Sequence, residues 1–312
     1  MERIQNLFLC IGAQKAGTSW LYSVLSKDER FSHCPFVKEI HYFDHIHCDS
    51  PHLNNWRAHH FIKITERRGL ELQNIISGWL NGEKEDLEKK EKYKINGKNL
   101  LAKRVNWLLS EVNDDWYHSI TKNRNPENYA MDITPDYAVI GSDGFNHIKK
   151  IANNIKIVFI LRDPIERAWS GLLQGKKKRG GVSEFIETID RNIEKIIKEC
   201  TTGADVGARS NYLNTIKALE ECDLLDKTLI LKYEDISRDP KKFIEEIYDF
   251  LDTPPPEKEK EFWKNVENKV YVTNGKKSIP EELKLELSKF YAPMIKSLSH
   301  YTDIPPEWDS NK

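Results

Sequence analysis

The feature that most constrains the fold is the stretch FLCIGAQKAGTSWLYSVL at residues 8–25. An apolar run at residues 7–11 meets a loop of small residues that contains one lysine, Lys15, and an amphipathic run follows. This order is typical of a strand, a tight loop and a helix, where backbone N–H groups and the helix dipole converge on one anion. The stretch predicts an α/β fold with a phosphate site at residues 12–19, although a strand–turn–helix without a ligand would also fit this stretch alone.

The loop departs from the phosphate loop of nucleotide triphosphatases, GxxxxGK[ST]. Gly12 and Gly17 have the required spacing, but Thr18 and Ser19 follow where that pattern has Lys and Ser/Thr. The lysine stands inside the loop, at Lys15. This arrangement disfavours an ordinary ATPase and favours a loop that holds one phosphate, with Lys15 directed at a neighbouring oxyanion.

Strand and helix patterns alternate along much of the chain. Strands are predicted at 129–133, 155–161 and 227–233 besides 7–11, and helices at 18–26, 164–174, 183–200, 210–222, 239–251 and 280–298. Such alternation predicts a P-loop-like, doubly wound, mainly parallel sheet flanked by helices. Ligands are then expected at the carboxyl ends of the strands.

Residues 52–122 break this alternation, because they contain no convincing strand. They hold a charge run at 82–98, interpreted as a solvated face, and four tryptophans interpreted mainly as core: Trp56, Trp79, Trp107 and Trp116. The region predicts a helical insertion after the second strand, within a single domain over residues 1–312. It is the expected wall of an acceptor site.

Composition narrows the functional classes. The 48 basic and 49 acidic residues give a net charge of −1, which disfavours general nucleic-acid binding. The five cysteines have no CxxC spacing and are expected to be reduced thiols.

No apolar window of about 20 residues exists, so no membrane span is expected. With the loop so close to Met1, the chain is expected to be cytoplasmic, the alternative being a trimmed form of a secretory-pathway enzyme. The oligomeric state is left open.

Two further segments carry candidate site residues. VKEIHYFD at 37–44 places Lys38, Glu39 and His41 together where the second strand should end. In IKIVFILRDPIERAWSGLLQ at 155–174, Arg162 leaves the tip of an apolar strand and Ser170 lies one or two turns into the next helix, where both could hold a second phosphate. The alternative for this second segment is only a local ion pair and a helix cap at Arg162 and Asp163.

At these motifs the chain resembles the sulfotransferases that use 3′-phosphoadenosine 5′-phosphosulfate (PAPS). IGAQKAGTSWLY resembles the family's 5′-phosphosulfate loop and VFILRDPIERAWS its 3′-phosphate motif. KEIHYFD is similar to the heparan-sulfate sulfotransferase branch, and MDITPDY, SNYLNTIKALEE, ILKYEDISRDP and the late NGKK add to the likeness. In departure from the family, Ala16 stands where a glycine is common, the longer cysteine-containing loop of the Golgi enzymes is absent, and the insertion has no obvious counterpart.

The resemblance implies in-line transfer of a sulfuryl group from PAPS to an acceptor hydroxyl, without a metal, leaving 3′,5′-diphosphoadenosine. It implies Glu39 as the general base, with a pKa that burial would raise and Lys15 and Lys38 would lower. Lys15 would stabilise the leaving group, and His41 would orient Glu39, touch the acceptor or simply pack. The implied cofactor-binding residues are Lys15, Ala16, Gly17, Thr18, Ser19, Trp20, Arg162, Ser170, Gly275, Lys276 and Lys277.

Alternatives remain at each level. The expected acceptor is a glycan hydroxyl, with a lipid, natural product or carrier-tethered hydroxyl as the runner-up. A phosphotransferase on the same loop would need a magnesium-binding carboxylate, for which Asp163 and Asp235 are weak candidates, and a nucleotide-binding protein without catalysis is the third class. Five histidines also cluster without a zinc motif and are interpreted as surface or acceptor-pocket residues: His45, His47, His52, His59 and His60.

Overall fold

The computed structural model describes residues 3–80, 98–121, 125–178, 181–257, 260–268 and 278–308. Within them the strands form one parallel five-stranded sheet in the order β2-β3-β1-β4-β5. The strands are β1 (Ile4–Gly12), β2 (Phe31–His33), β3 (Tyr129–Ile133), β4 (Ala152–Leu161) and β5 (Thr228–Lys232). The predicted doubly wound, P-loop-like α/β class is confirmed.

Strand β1 lies at the centre of the sheet, with β3 on one side and β4 on the other. Its residues from Leu7 to Ile11 are fully buried, as are residues 157–161 of β4. Near-continuous apolar runs are expected of strands that helices cover on both faces. From β1 the chain runs to β2 and β3 on one side of the sheet, and from β3 it crosses to β4 on the other side. In open α/β sheets, ligands are expected where the strand order reverses in this way, at the carboxyl ends of the strands.

Helices surround the sheet. Within the described residues they are α1 (Thr18–Leu25), α2 (Tyr42–His47), α3 (His52–Leu80), α4 (Lys98–Leu109), α5 (Asp114–Thr121), α6 (Gly141–Ile151), α7 (Pro164–Lys178), α8 (Val182–Glu187), α9 (Ile193–Thr201), α10 (Tyr212–Glu221), α11 (Tyr233–Arg238), α12 (Pro240–Phe250), α13 (Lys260–Glu267) and α14 (Glu281–Leu298). Helix α12 begins as its sequence predicts, because the Asp239 side chain accepts a hydrogen bond from the Lys242 N–H and Pro240 follows the cap.

Two local expectations differ from the structure. The second strand, Phe31–His33, ends five residues before Lys38, so the Lys38–His41 segment lies in the loop after it rather than at its end. Three residues are too few for an alternation pattern to reveal a strand. The helix predicted over 183–200 is instead two helices, α8 and α9, with a 3₁₀ turn between them. There Thr188 Oγ1 donates to the Glu184 carbonyl and Asn192 Nδ2 to the Thr188 carbonyl, bonds that compete with a continuous helix.

The region after β2 is helical where it is described, as predicted. Trp107 and Trp116 are buried, and the Trp116 indole donates to the Trp107 carbonyl at 3.0 Å. Trp56 is instead 41% exposed. The side chain of Trp79 and nearly all of the charge run 82–98 lie outside the described residues.

All five cysteines are free, and only Cys48 is exposed, in agreement with reduced thiols. None of the described helices combines the length and the apolar character needed to cross a bilayer.

Candidate active site

The loop between β1 and α1 has the backbone geometry of an anion site. Gly17 caps α1 with φ at 84°, and a Cβ at this position would lie 2.6 Å from Ile236 Cδ1. Only glycine meets both demands without strain. Ala16 does not have a positive φ, so alanine in place of the family's glycine is tolerated there.

Lys15 and Arg162 join the two predicted phosphate motifs. Lys15 has a left-handed φ of 73°, and its carbonyl accepts a hydrogen bond from Arg162 Nη1 at 3.0 Å. Arg162 is 7% exposed and lies over the Tyr233 ring, and its Nη2 is 3.3 Å from Glu166 Oε2. Loops more than a hundred residues apart in sequence thus meet at one guanidinium.

Asp163 has the capping role that the alternative interpretation gave it. Its Oδ1 accepts the N–H groups of Ile165 and Glu166 at the start of α7, whereas Arg162 pairs with Glu166 rather than with Asp163. Ser170 lies half-buried on α7, beyond this cap.

The remaining loop residues differ in what they can offer a ligand. The Ala16 N–H donates to Ala13 O, and the Trp20 N–H to Gly17 O. The Trp20 ring is buried and packs edge-on against Phe243. The Trp20 side chain therefore belongs to the core. Gly275, Lys276 and Lys277 lie outside the described residues.

Lys38 connects this loop to the candidate base. Its Nζ lies 3.2 Å from Thr18 Oγ1, 3.2 Å from Ser19 Oγ and 2.8 Å from Glu39 Oε1. The Glu39 side chain is 30% exposed and so remains open to an acceptor. The sequence places Lys38 beside Glu39 but assigns it no role beyond lowering the pKa of Glu39. Its position directly before Glu39 was the available signal.

His41 is enclosed by carboxylates. Its Nε2 is 3.4 Å from Glu39 Oε2, and its Nδ1 is 2.9 Å from Asp44 Oδ2 and 3.8 Å from Asp136 Oδ2. Asp136 in turn forms an ion pair with the half-buried Arg209. Because both ring nitrogens face acceptors, the geometry favours the doubly protonated ring. Asp44, Asp136 and Arg209 were not identified from the sequence, since they act on Glu39 only through His41.

The charges in this group fix its protonation. Burial raises the pKa of Glu39, but the hydrogen bond from His41 and the charge of Lys38 outweigh it and lower the pKa to about 2. Burial lowers the pKa of His41, but Asp44 and Glu39 outweigh it and raise the pKa to about 10. Glu39 is therefore ionised and His41 is a cation at neutral pH. His41 is also only 2% exposed, so the structure favours orientation of Glu39 over contact with an acceptor.

The histidine cluster separates into different environments. His52 lies against the active site, with its ring centroid 4.8 Å from that of His41. His47 Nε2 is 2.9 Å from His147 Nδ1. His60 is buried rather than at the surface, and burial lowers its pKa to about 4, with Arg104 adding to the effect.

One group among the described residues brings three potential metal-ligand atoms within 4.8 Å of one another: Glu39, His41 and Asp136. An imidazolium has no lone pair to offer, so a cation there would first have to displace the proton of His41.

Comparison with known proteins identifies the family. Residues 5–291 match the model of the family described as sulfotransferase domain. Among curated protein sequences, none matches the chain significantly. The solved structures that it resembles include a sulfotransferase from Alicyclobacillus acidocaldarius (TM-score 0.58, 16% identity, 97% of this chain and 98% of that one).

Two further similar structures are sulfotransferase domains. One is from the olefin synthase of Synechococcus PCC 7002 (TM-score 0.52, 14% identity, 98% of each chain), and the other is from the curacin biosynthetic pathway (TM-score 0.53, 16% identity, 97% of this chain and all of that one). With a matched model over most of its length, the chain belongs to the sulfotransferase domain family.

Proposed function

We propose that this protein is a PAPS-dependent sulfotransferase that transfers a sulfuryl group in line to an acceptor hydroxyl, with Glu39 as the general base. The observation that carries the proposal is the position of Lys38, whose Nζ contacts both the hydroxyls of the phosphate loop and the carboxylate of Glu39. The candidate base is thus one side chain away from the place where a transferred group would be held.

The donor set suits the proposed cofactor. The first two residues of α1, Thr18 and Ser19, have backbone N–H groups without intrahelical acceptors, next to their own hydroxyls, whereas the Trp20 N–H donates to the Gly17 carbonyl. Lys38 lies beside this turn and Arg162 beside the Lys15 carbonyl, so both are placed to form charge-assisted hydrogen bonds with phosphate groups, and we assign the Lys15 ammonium to the same ligand. When bound, PAPS supplies an activated sulfuryl group and a stable leaving group. We assign the 5′-phosphosulfate to residues 15–19 and the 3′-phosphate to Arg162 and Ser170.

Glu39 has the properties of a base that is held ready for proton transfer. With a pKa of about 2 it is ionised, but its two carboxylate oxygens are engaged by Lys38 and His41. A Lys38 side chain that turns toward an anion at Thr18 and Ser19 would leave Glu39 with one cation fewer and raise its pKa. Glu39 would then accept the acceptor's proton more readily, while His41 keeps the carboxylate aimed.

For the acceptor, we propose a glycan hydroxyl bound against the start of α3. The support is the likeness of KEIHYFD to the heparan-sulfate branch, together with an exposed Trp56 one helical turn after His52, which lies against His41. Exposed aromatic faces suit the apolar face of a sugar ring. The second candidate is an apolar or carrier-tethered hydroxyl, favoured by the exposed apolar side chains of Ile46, Phe61 and Ile62.

The phosphotransferase alternative lacks a free carboxylate at its two candidate positions. Asp163 caps α7 through Oδ1, and Asp235 pairs with Arg238. We also propose that residues 1–312 form one sulfotransferase domain, with the cytoplasmic location that the sequence predicts.

The direct test is transfer of label from PAPS labelled with ³⁵S to a panel of glycans, lipids and small hydroxyl compounds. We expect transfer without added metal and unchanged by a chelator, with release of 3′,5′-diphosphoadenosine. Phosphoryl transfer from ATP with magnesium, and none from PAPS, would contradict the proposal.

A further inference from the structure

Two peptide N–H groups on either side of His41 donate to side-chain hydroxyls. The Ile40 N–H donates to Thr134 Oγ1 at 2.9 Å, and the Tyr42 N–H donates to the Tyr137 hydroxyl at 3.1 Å. Tyr42 is the first residue of α2, so its N–H has no acceptor within the helix. Both bonds connect the segment that carries Glu39 to residues more than ninety positions away.

Both hydroxyls end on the same carboxylate. Thr134 Oγ1 donates to Asp132 Oδ1 at 2.6 Å, and the Tyr137 hydroxyl donates to Asp132 Oδ2 at 2.7 Å. A hydroxyl has one proton, so a hydroxyl that donates to a carboxylate presents only lone pairs elsewhere. Asp132 therefore fixes both hydroxyls as acceptors for the N–H groups beside His41.

We propose that Asp132, with Thr134 and Tyr137, is a positioning device that holds residues 40–42 so that Glu39 faces the phosphate loop. We call these three side chains the Asp132 clamp. The inference rests on the proposed function, because it assigns the clamp a role in aiming the proposed base. It goes beyond that function, since none of the three residues needs to touch substrate or cofactor.

The backbone between the two anchored N–H groups shows what the clamp must hold. His41 has a left-handed φ of 56°, a conformation that costs a non-glycine residue energy and that persists only where the surroundings impose it. In this conformation the His41 ring reaches both Glu39 and Asp44. Release of either N–H would let the peptide relax and turn the Glu39 carboxylate away from Lys38.

A purely structural role would be served as well by apolar groups. Asp132 is fully buried at the end of β3, and a third hydroxyl, that of Tyr117, also donates to it, at 3.1 Å. Replacing buried charged networks by well-packed apolar residues is often neutral or stabilising. The role that we assign to the clamp is therefore geometry at the base rather than stability.

The first test measures the two hydrogen bonds directly, by amide hydrogen exchange in the full chain. In Thr134→Val we expect the Ile40 amide to exchange about 5–10-fold faster, with Tyr42 nearly unchanged. In Tyr137→Phe the Tyr42 amide should exchange faster and the Ile40 amide should be nearly unchanged. In Asp132→Asn both amides should exchange faster. Unchanged exchange at both amides in all three variants would overturn the clamp.

The second test asks whether the clamp aims the base. We expect Thr134→Val and Tyr137→Phe each to lower kcat about 10–100-fold, with the dissociation constant for 3′,5′-diphosphoadenosine unchanged. Faster exchange with an unchanged kcat would overturn the positioning role.

Matched controls separate the clamp from general loss of buried hydroxyls. Tyr291→Phe removes a buried hydroxyl that donates to the Cys200 carbonyl, and Thr228→Val removes a half-buried hydroxyl that donates to the Leu224 carbonyl. Both should retain wild-type kcat, and an equal loss in them would overturn the proposal. Wild-type protein that transfers no sulfuryl group would refute the proposed function, whereas the exchange measurements refute or support the clamp independently.

Discussion

The two halves of the candidate site are held in different ways. The cofactor half, residues 12–19, is shaped by its own backbone, with Gly17 in a left-handed conformation at the start of α1 and Lys15 anchored by Arg162. The base half, residues 38–44, has one local contact, between His41 and Asp44. Otherwise it is held by side chains far away in sequence: Thr134 and Tyr137, which Asp132 orients, and Asp136 beside His41.

This difference separates binding from chemistry. A loop built from backbone N–H groups can hold an anion whatever lies opposite, whereas a base must be aimed at one atom. We therefore expect substitutions of Glu39 and His41 to lower turnover with little effect on nucleotide affinity, and substitutions in the cofactor half to lower both.

The largest expected effect is in Glu39→Gln. Removal of a well-placed general base should lower kcat about 10²–10⁴-fold. The affinity for 3′,5′-diphosphoadenosine should stay within a few-fold of wild type or rise, because one negative charge leaves the site. The rate is measured with labelled PAPS and the affinity by calorimetry. If Glu39→Gln lowers both kcat and the affinity for 3′,5′-diphosphoadenosine strongly, the base half also binds the nucleotide, and the separation of binding from chemistry is contradicted.

The next effect is in Gly17→Ala, which tests the backbone of the cofactor half. A Cβ 2.6 Å from Ile236 Cδ1, at a φ of 84°, should lower the free energy of unfolding by about 3 kcal/mol and abolish tight nucleotide binding. Gly175→Ala is the matched control, since a Cβ there meets nothing within 4 Å. Denaturant unfolding measures both, and equal effects in the two variants would contradict the role of Gly17.

Asp132→Asn should make stability less sensitive to pH. Burial raises the pKa of Asp132 to about 6 in the folded protein, above its usual 3.8. The folded protein therefore binds this proton more tightly than the unfolded chain does. The resulting stabilisation is fully present below pH 4 and is lost as the pH rises through 6, which lowers the free energy of unfolding by about 2–3 kcal/mol. The free energy of unfolding of wild type relative to Asp132→Asn should fall by that amount between pH 4 and 7. A constant difference between the two proteins would mean that Asp132 does not titrate as described.

The smallest effect is expected at the acceptor wall. Trp56→Ala should raise KM for a glycan acceptor about 2–10-fold through loss of ring stacking, and leave KM for PAPS unchanged. Phe290→Ala, which truncates an exposed aromatic on α14, is the control and should change neither. If acceptor kinetics with Trp56→Ala match wild type, the start of α3 is not the acceptor platform.

The cofactor half could be predicted from the sequence because its chemistry is local. Gly17, Thr18 and Ser19 are consecutive, and the apolar run before Arg162 marks the strand that carries it to the site. The core role of Trp107 and Trp116 could likewise be predicted. The side chain of Trp20 could not be placed, because a motif does not show which face of α1 packs inward.

The base half could be predicted only in part. Glu39 and His41 stand in one segment, but their protonation depends on Asp44, Asp136 and Arg209, whose proximity only the folded chain creates. The direction of the Glu39 pKa shift could therefore not be decided from sequence. Strand β2 escaped detection because three residues carry no periodicity.

The most direct measurement compares binding of 3′,5′-diphosphoadenosine and AMP, which differ only in the 3′-phosphate, by calorimetry on wild type and Arg162→Ala. Charge-assisted hydrogen bonds to that phosphate should make the diphosphate bind about 10–100-fold tighter to wild type, and Arg162→Ala should bring the ratio close to one. General damage to the fold would weaken both ligands and leave the ratio intact. A wild-type protein that does not prefer the diphosphate, or a preference that survives in Arg162→Ala, would contradict the two-phosphate site on which the proposed sulfuryl transfer depends.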